Sequence, residues 1–151
     1  MKDLIVEKIY EMTKIPYQKW FKKDKPWPIN RKDLLQFEQQ TLGFHLGCFL
    51  LKHDFELQSQ FEDHDVIHVL TQTSISVTDE IGMQFYLLGN GKRSPYLFLG
   101  VILGLIFYAN KGKFFLLQYS RGKKAHCFHH LNFFKLLHLH TADIKKSFAI
   151  K

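Results

Sequence analysis

Ser94-Pro95-Tyr96-Leu97-Phe98-Leu99-Gly100-Val101-Ile102-Leu103-Gly104-Leu105-Ile106-Phe107-Tyr108-Ala109-Asn110 is the stretch on which the fold turns. A serine able to cap, followed by proline at the first helical position, marks a helix start. From Tyr96 to Ala109 no residue is charged. A membrane-spanning helix needs about 20 apolar residues, more than this run supplies. It therefore reads first as a buried central helix, and second as one face of a membrane-contacting surface.

Outward from this run, the neighbours are also helical. Toward the N-terminus, Thr78 or Ser76 caps a helix that begins near Asp79 and ends at Gly89, Asn90 and Gly91. Thr73 to Thr78 reads as a turn, and Glu62 to Gln72 as another helix. Apolar residues recur at helical spacing from Arg31 to Lys52, and Asn30 is a good N-cap for that stretch. Gly43 and Gly47, one turn apart inside it, weaken a helix unless another backbone packs closely on that face. Leu4, Ile5, Ile9 and Met12 predict an amphipathic first helix ended by Pro16, and Lys22 to Asn30 reads as a loop. On the other side, Phe114 to Tyr119 is ambiguous between strand and helix. Arg121 to Lys124 reads as a basic loop, and Ala125 to Lys151 as two helical stretches. Strand signals are few. The expected fold is all-α: a single helical domain over residues 1–151, with antiparallel helices around the apolar central one.

Charge narrows the partners. With 21 Lys+Arg against 14 Asp+Glu the formal net charge is +7, a field that attracts polyanions. The cations are scattered in small groups with no long basic arm and no zinc-finger spacing, so nucleic acid is not the expected partner. The 15 Phe residues exceed what a core of this size ordinarily uses, and fit either a Phe-rich core or a lipid pocket. Cys48 and Cys127 are too few for a disulfide framework, which fits a reducing compartment. Asp3, Glu7, Lys8 and Glu11 interrupt every apolar stretch near the N-terminus, so no signal peptide is expected.

The chemistry concentrates in His64-Asp65-Val66-Ile67-His68 and Glu80. His64 and His68, four apart, project from one helix face and have the spacing at which two imidazoles share a metal ion. Asp65 is rotated by about 100° from His64 and can reach the ion or orient an imidazole. Glu80 lies twelve positions past His68, a distance that suits a turn near Thr73 to Thr78 with the next helix running back. Two imidazoles and two carboxylates suit Zn²⁺, Fe²⁺ or Mn²⁺. The same spacing also arises on solvated helices that bind nothing. His126, His129, His130, His138 and His140 form a second cluster, with Asp143 the one carboxylate near it, and read as surface or partly buried histidines.

His64-Asp65-Val66-Ile67-His68, eleven residues and Glu80 match H-D-x-x-H-x11-E, the signature of the ubiquinone-biosynthesis family called COQ-four, and the chain resembles that family. Thr41-Leu42-Gly43-Phe44-His45-Leu46-Gly47 resembles the family's T-L-G-H-A segment, and His53-Asp54-Phe55 stands where members often have H-G-F. The likeness covers roughly residues 33 to 110. Leu70-Thr71-Gln72 lacks a glycine that many members carry there.

The resemblance implies an all-helical, often dimeric protein lying against a membrane and accommodating an isoprenoid tail. It implies that His64, Asp65, His68 and Glu80 ligate a divalent metal, usually zinc, and form the catalytic centre. The implied reaction replaces the C1 carboxylate of a prenylated quinone precursor by hydroxyl, and members also organise other enzymes of the pathway. On composition, Phe85 to Leu88 and Tyr96 to Ala109 are the candidate wall for the tail, with Phe85, Leu88, Tyr96, Leu99 and Leu103 named as lipid-binding. Lys92 and Arg93 are candidates for contact with anionic headgroups on the inner face of the cell membrane. Two rivals remain: a non-enzymatic isoprenoid-binding or scaffold protein, and a metal-dependent hydrolase, for which no second ligand set is evident.

Overall fold

The computed structural model describes residues 1–9, 12, 25–59 and 61–151. It is all-α: among the described residues there is no strand, only one isolated antiparallel bridge between Thr41 and His140. The helices fall into two compact units, each assembled from two separated stretches of chain.

One unit joins residues 25–59 and 61–73 to His130–Lys151. It contains α1 (Arg31–Leu34), α2 (Leu42–Lys52), α3 (Glu62–Thr71), a 3-10 turn (Phe133–Leu136) and α7 (Thr141–Ser147). Asn30 caps α1 in a capping box, its side chain accepting from the N–H groups of Lys32 and Asp33 while Asp33 accepts from Asn30 N–H. The single helix predicted from Arg31 to Lys52 is broken after Leu34, and α2 begins afresh behind the N-cap Thr41. The reason is tertiary. Leu42 N–H donates to the Leu139 carbonyl at 2.9 Å and Gly43 N–H to that of Leu137 at 2.8 Å. The first donors of α2 thus have partners in a distant segment, and nothing in the local periodicity announces it. The glycine pair behaves as expected. A Cβ on Gly43 would sit 3.1 Å from Leu137 O, and one on Gly47 3.1 Å from Leu35 N, so backbone does approach that face.

The other unit joins the described N-terminal residues, helical over 2–9, to Ser74–His129. It contains α4 (Val77–Gly89), α5 (Pro95–Phe107), a 3-10 turn (Ala109–Lys111) and α6 (Gly112–Lys124). The predicted first helix is present over residues 2–9, and its expected end near Pro16 lies outside the described residues. Ser76 and Ser94 are the N-caps of α4 and α5, with Pro95 at the first turn. Val6, Ile81, Phe85, Leu103, Tyr108 and Phe115 form the core, with the Phe85 and Phe115 rings stacked at 4.8 Å. The ambiguous segment 114–119 is helical, and the expected basic loop at Arg121 to Lys124 is instead the last turn of α6. Cations there complement the negative end of the helix dipole. Helix α4 meets α6 at backbone distance: a Cβ on Gly89 would lie 2.2 Å from Tyr119 O, and one on Gly122 1.9 Å from Tyr86 O.

Helix α5 is buried on one side only. Leu97, Gly100, Leu103 and Gly104 are buried, whereas Phe98, Ile102, Leu105 and Ile106 are exposed. No single described helix is long and apolar enough to cross a membrane, and α5 bends by 101° into the next helical segment.

Gly122→Ala should cost about 2–3 kcal/mol, because the added methyl meets a backbone carbonyl that cannot move without parting α4 from α6. Gly112→Ala, with open space around its Cβ, should be neutral or slightly stabilising in the same thermal melts.

The Tyr108 hydroxyl donates to the Asp3 carboxylate. Burial first, then that bond and the charges of Asp3 and Glu7, pushes the Tyr108 pKa up to about 12. A raised phenol pKa stabilises the fold below the ordinary value of 10, and that contribution fades as pH climbs from 10 toward 12. Urea melts across that range should show the loss, and Tyr108→Phe should remove this part of the pH dependence.

Candidate metal centre

Helix α3 carries the histidine pair. Glu62, Asp63 and Asp65 crowd its first turn, where negative charge complements the exposed N–H groups. Glu62 is buried and accepts from the Trp27 N–H at 3.1 Å. At the other end Gln72 adopts the left-handed conformation, φ 55°. That reversal folds Thr73 back on the helix, so its N–H donates to the His68 carbonyl at 3.2 Å. The Thr71 hydroxyl, 2.7 Å from Ile67 O and 2.6 Å from the Thr73 hydroxyl, braces the same turn.

The reversal has a chemical consequence. His68 Nδ1 lies 3.0 Å from Thr73 O, and a carbonyl can only accept. Nδ1 therefore carries the proton and Nε2 presents its lone pair, the arrangement found in metal-ligating histidines. That lone pair points at His64 Nε2, 3.1 Å away. Two nitrogens bound to one tetrahedral zinc at 2.0–2.1 Å are about 3.3 Å apart. The spacing thus suits a shared ion as well as a shared proton. His68 is 2 % exposed, and the Phe49 ring of α2 lies nearly parallel to it with centroids 5.4 Å apart. The Phe61 and His64 rings stand nearly perpendicular with centroids 6.2 Å apart.

The structure thus brings His64 and His68 together within one unit. Asp65 follows His64 on α3 and is half-buried. Glu80 is in the other unit, half-buried in the first turn of α4, its N–H bonded to Ser76 O at 2.8 Å. Ser76 fixes that turn by accepting from Asp79 N–H. Only residues 72–76 separate α3 from α4, so the two histidines and Glu80 occupy helix turns joined by one short connection. Sequence reasoning missed Thr73 and Phe49. A carbonyl ligand to a ring nitrogen has no residue-type signature, and Phe49 has the same helical periodicity as any core residue.

His126, His130 and His138 are exposed, and His140, at the start of α7, lies 3.8 Å from Glu38 and 4.0 Å from Asp143. His129 contacts Cys127. Of the proposed lipid-binding residues, Phe85 and Leu103 lie in the core of their unit, Leu99 packs against it, and Leu88 and Tyr96 are half-buried.

No family model and no curated protein matches the chain. A solved structure does: a Nostoc punctiforme protein provisionally named a ubiquinone biosynthesis protein, with a TM-score of 0.65 and 16% sequence identity over 99% of this chain and 81% of that one. The chain shares its all-helical fold with that protein.

In metal-free protein, long-range ¹H–¹⁵N spectra should show His68 as the Nδ1–H tautomer and His64 as the Nε2–H tautomer. Zinc should shift the Nε2 resonances of both rings while His68 Nδ1 stays protonated.

Proposed function

We propose that His64, Asp65, His68 and Glu80 hold one divalent metal, zinc in the first instance and iron or manganese otherwise, in an enzyme acting on a prenylated aromatic precursor of a quinone. The observation that carries this reading is the hydrogen bond between His68 Nδ1 and the Thr73 carbonyl, which leaves His68 Nε2 turned toward His64 one helix turn away. The H-D-x-x-H-x11-E spacing and the fold likeness to the Nostoc protein support it.

When bound, the ion would supply a Lewis acid that holds and polarises a carboxylate or phenolate oxygen. The chain's own residues do the rest. Thr73 O keeps His68 in its ligating tautomer, and Phe49 shields the ring from water. Asp65 and Glu80 bring negative charge that favours a cation over a shared proton. In this reading the substrate's ring carboxylate leaves as CO₂ and a hydroxyl takes its place, a two-electron oxidation that requires dioxygen as external oxidant and oxygen source. The chain works as a homodimer alongside other quinone-biosynthesis proteins.

The membrane part of the proposal rests on α5 and α6. Phe98, Ile102, Leu105 and Ile106 fall at i, i+4, i+7 and i+8, one exposed apolar stripe on α5, and Leu116 and Leu117 are exposed on α6. Lys111 and Lys113 are exposed in and just after the turn between these helices, and Arg93 just before α5. An apolar stripe flanked by cations suits peripheral contact with an anionic bilayer, here the inner face of the cell membrane, each cation contributing about 1 kcal/mol near the surface. This stripe also favours the second reading, a non-enzymatic isoprenoid-binding or scaffold protein.

Metal-loaded protein given a prenylated aromatic acid and dioxygen should release CO₂ and form the phenol, and Glu80→Ala should abolish turnover. Absence of turnover with zinc, iron and manganese alike, with lipid binding intact in Glu80→Ala, would select the second reading. Ile106→Glu should weaken co-sedimentation with phosphatidylserine vesicles by about tenfold or more, and unchanged binding would remove the stripe from the account.

A further inference from the structure

A second set of donors lies at the end of α6, in the run His126-Cys127-Phe128-His129-His130. The chain leaves the helix at Ala125, and Asn90, the buried C-cap of α4, fastens residues 125–129 in place. Its Nδ2 donates to the carbonyls of Gly122, Ala125 and His126 at 3.3, 3.5 and 3.0 Å. Its Oδ1 accepts from the N–H groups of Phe128 and His129 at 3.0 and 3.4 Å. Phe128 is fully buried against the Tyr86 ring. Backbone bonds and a core anchor therefore hold the chain on both sides of Cys127.

The residues flanking that anchor meet outside the core. Cys127 is exposed, His129 is half-buried, and Sγ lies 3.4 Å from Nδ1. A thiolate at 2.3 Å and an imidazole at 2.0–2.1 Å on one tetrahedral zinc are about 3.6 Å apart. The pair stands at chelating distance with no backbone movement required. Gly91, at φ 100°, lies under both: a Cβ there would be 3.8 Å from His129 Cε1 and 3.9 Å from Cys127 Sγ.

We propose that Cys127 and His129 form a second metal site, for a thiophilic ion such as zinc or copper(I). Soft sulfur with imidazole selects these ions over magnesium or calcium. Two protein donors leave the remaining positions to water or an external ligand, and binding releases the thiol proton. This site contains a thiolate and the His64–His68 pair does not, so the two are separable by spectroscopy.

The test is cobalt(II) titration of the reduced full-length protein. A thiolate-to-cobalt charge-transfer band should appear, be displaced by zinc, and persist in His64→Ala and His68→Ala. Cys127→Ser should abolish the band, and His129→Ala should weaken cobalt affinity at least tenfold, with melting temperatures unchanged because both side chains lie outside the core. No band in the wild type, or a band unaffected by His129→Ala, would overturn the proposal and leave a thiol–imidazole hydrogen bond.

Discussion

A hydrogen bond from His68 Nδ1 to the Thr73 carbonyl governs what the candidate centre can do. It exists because α3 ends in a left-handed residue, Gln72, which turns the chain back over its own last turn. Without that turn His68 would be a buried imidazole free to choose either tautomer. With it, one nitrogen is committed to the backbone and the other to His64. A non-glycine residue in the left-handed region costs roughly 1–2 kcal/mol, a strain that sits beside the most specialised side chains in the chain. Backbone strain of this kind concentrates where a ligand set must be held in place.

Local signals were the legible ones. Ser94 with Pro95, Ser76 before Asp79, and Asn30 before Arg31 each satisfy donors within the next few residues, so their role is visible without the fold. The His64–His68 pairing was legible for the same reason: four residues on a helix define a geometry. What escaped the sequence depends on distant partners. The break before Thr41 is set by carbonyls at positions 137 and 139, about a hundred residues away. The last turn of α6 is helical because Gly122 lets it lie on the Tyr86 carbonyl, whereas its charge suggested a loop.

The aromatic surplus and the apolar run divide between two uses. Phe85, Phe115, Phe128 and Phe133 are buried, accounting for part of the Phe content as ordinary core. Helix α5 does both things at once, with Leu103 in the core and Ile102 and Ile106 exposed. A run with no charged residue conceals this division, because hydropathy is then the same on every face and periodicity carries no information.

If the histidine pair and Glu80 serve one ion, the protein must carry it in stoichiometric amount. The most direct test is elemental analysis of untagged protein in a Cys127→Ser background, which excludes metal held by the surface thiol. About one metal per chain is expected, lost in both His68→Ala and Glu80→Ala. No metal after incubation with zinc, iron and manganese, or metal retained in both variants, would contradict a shared ion.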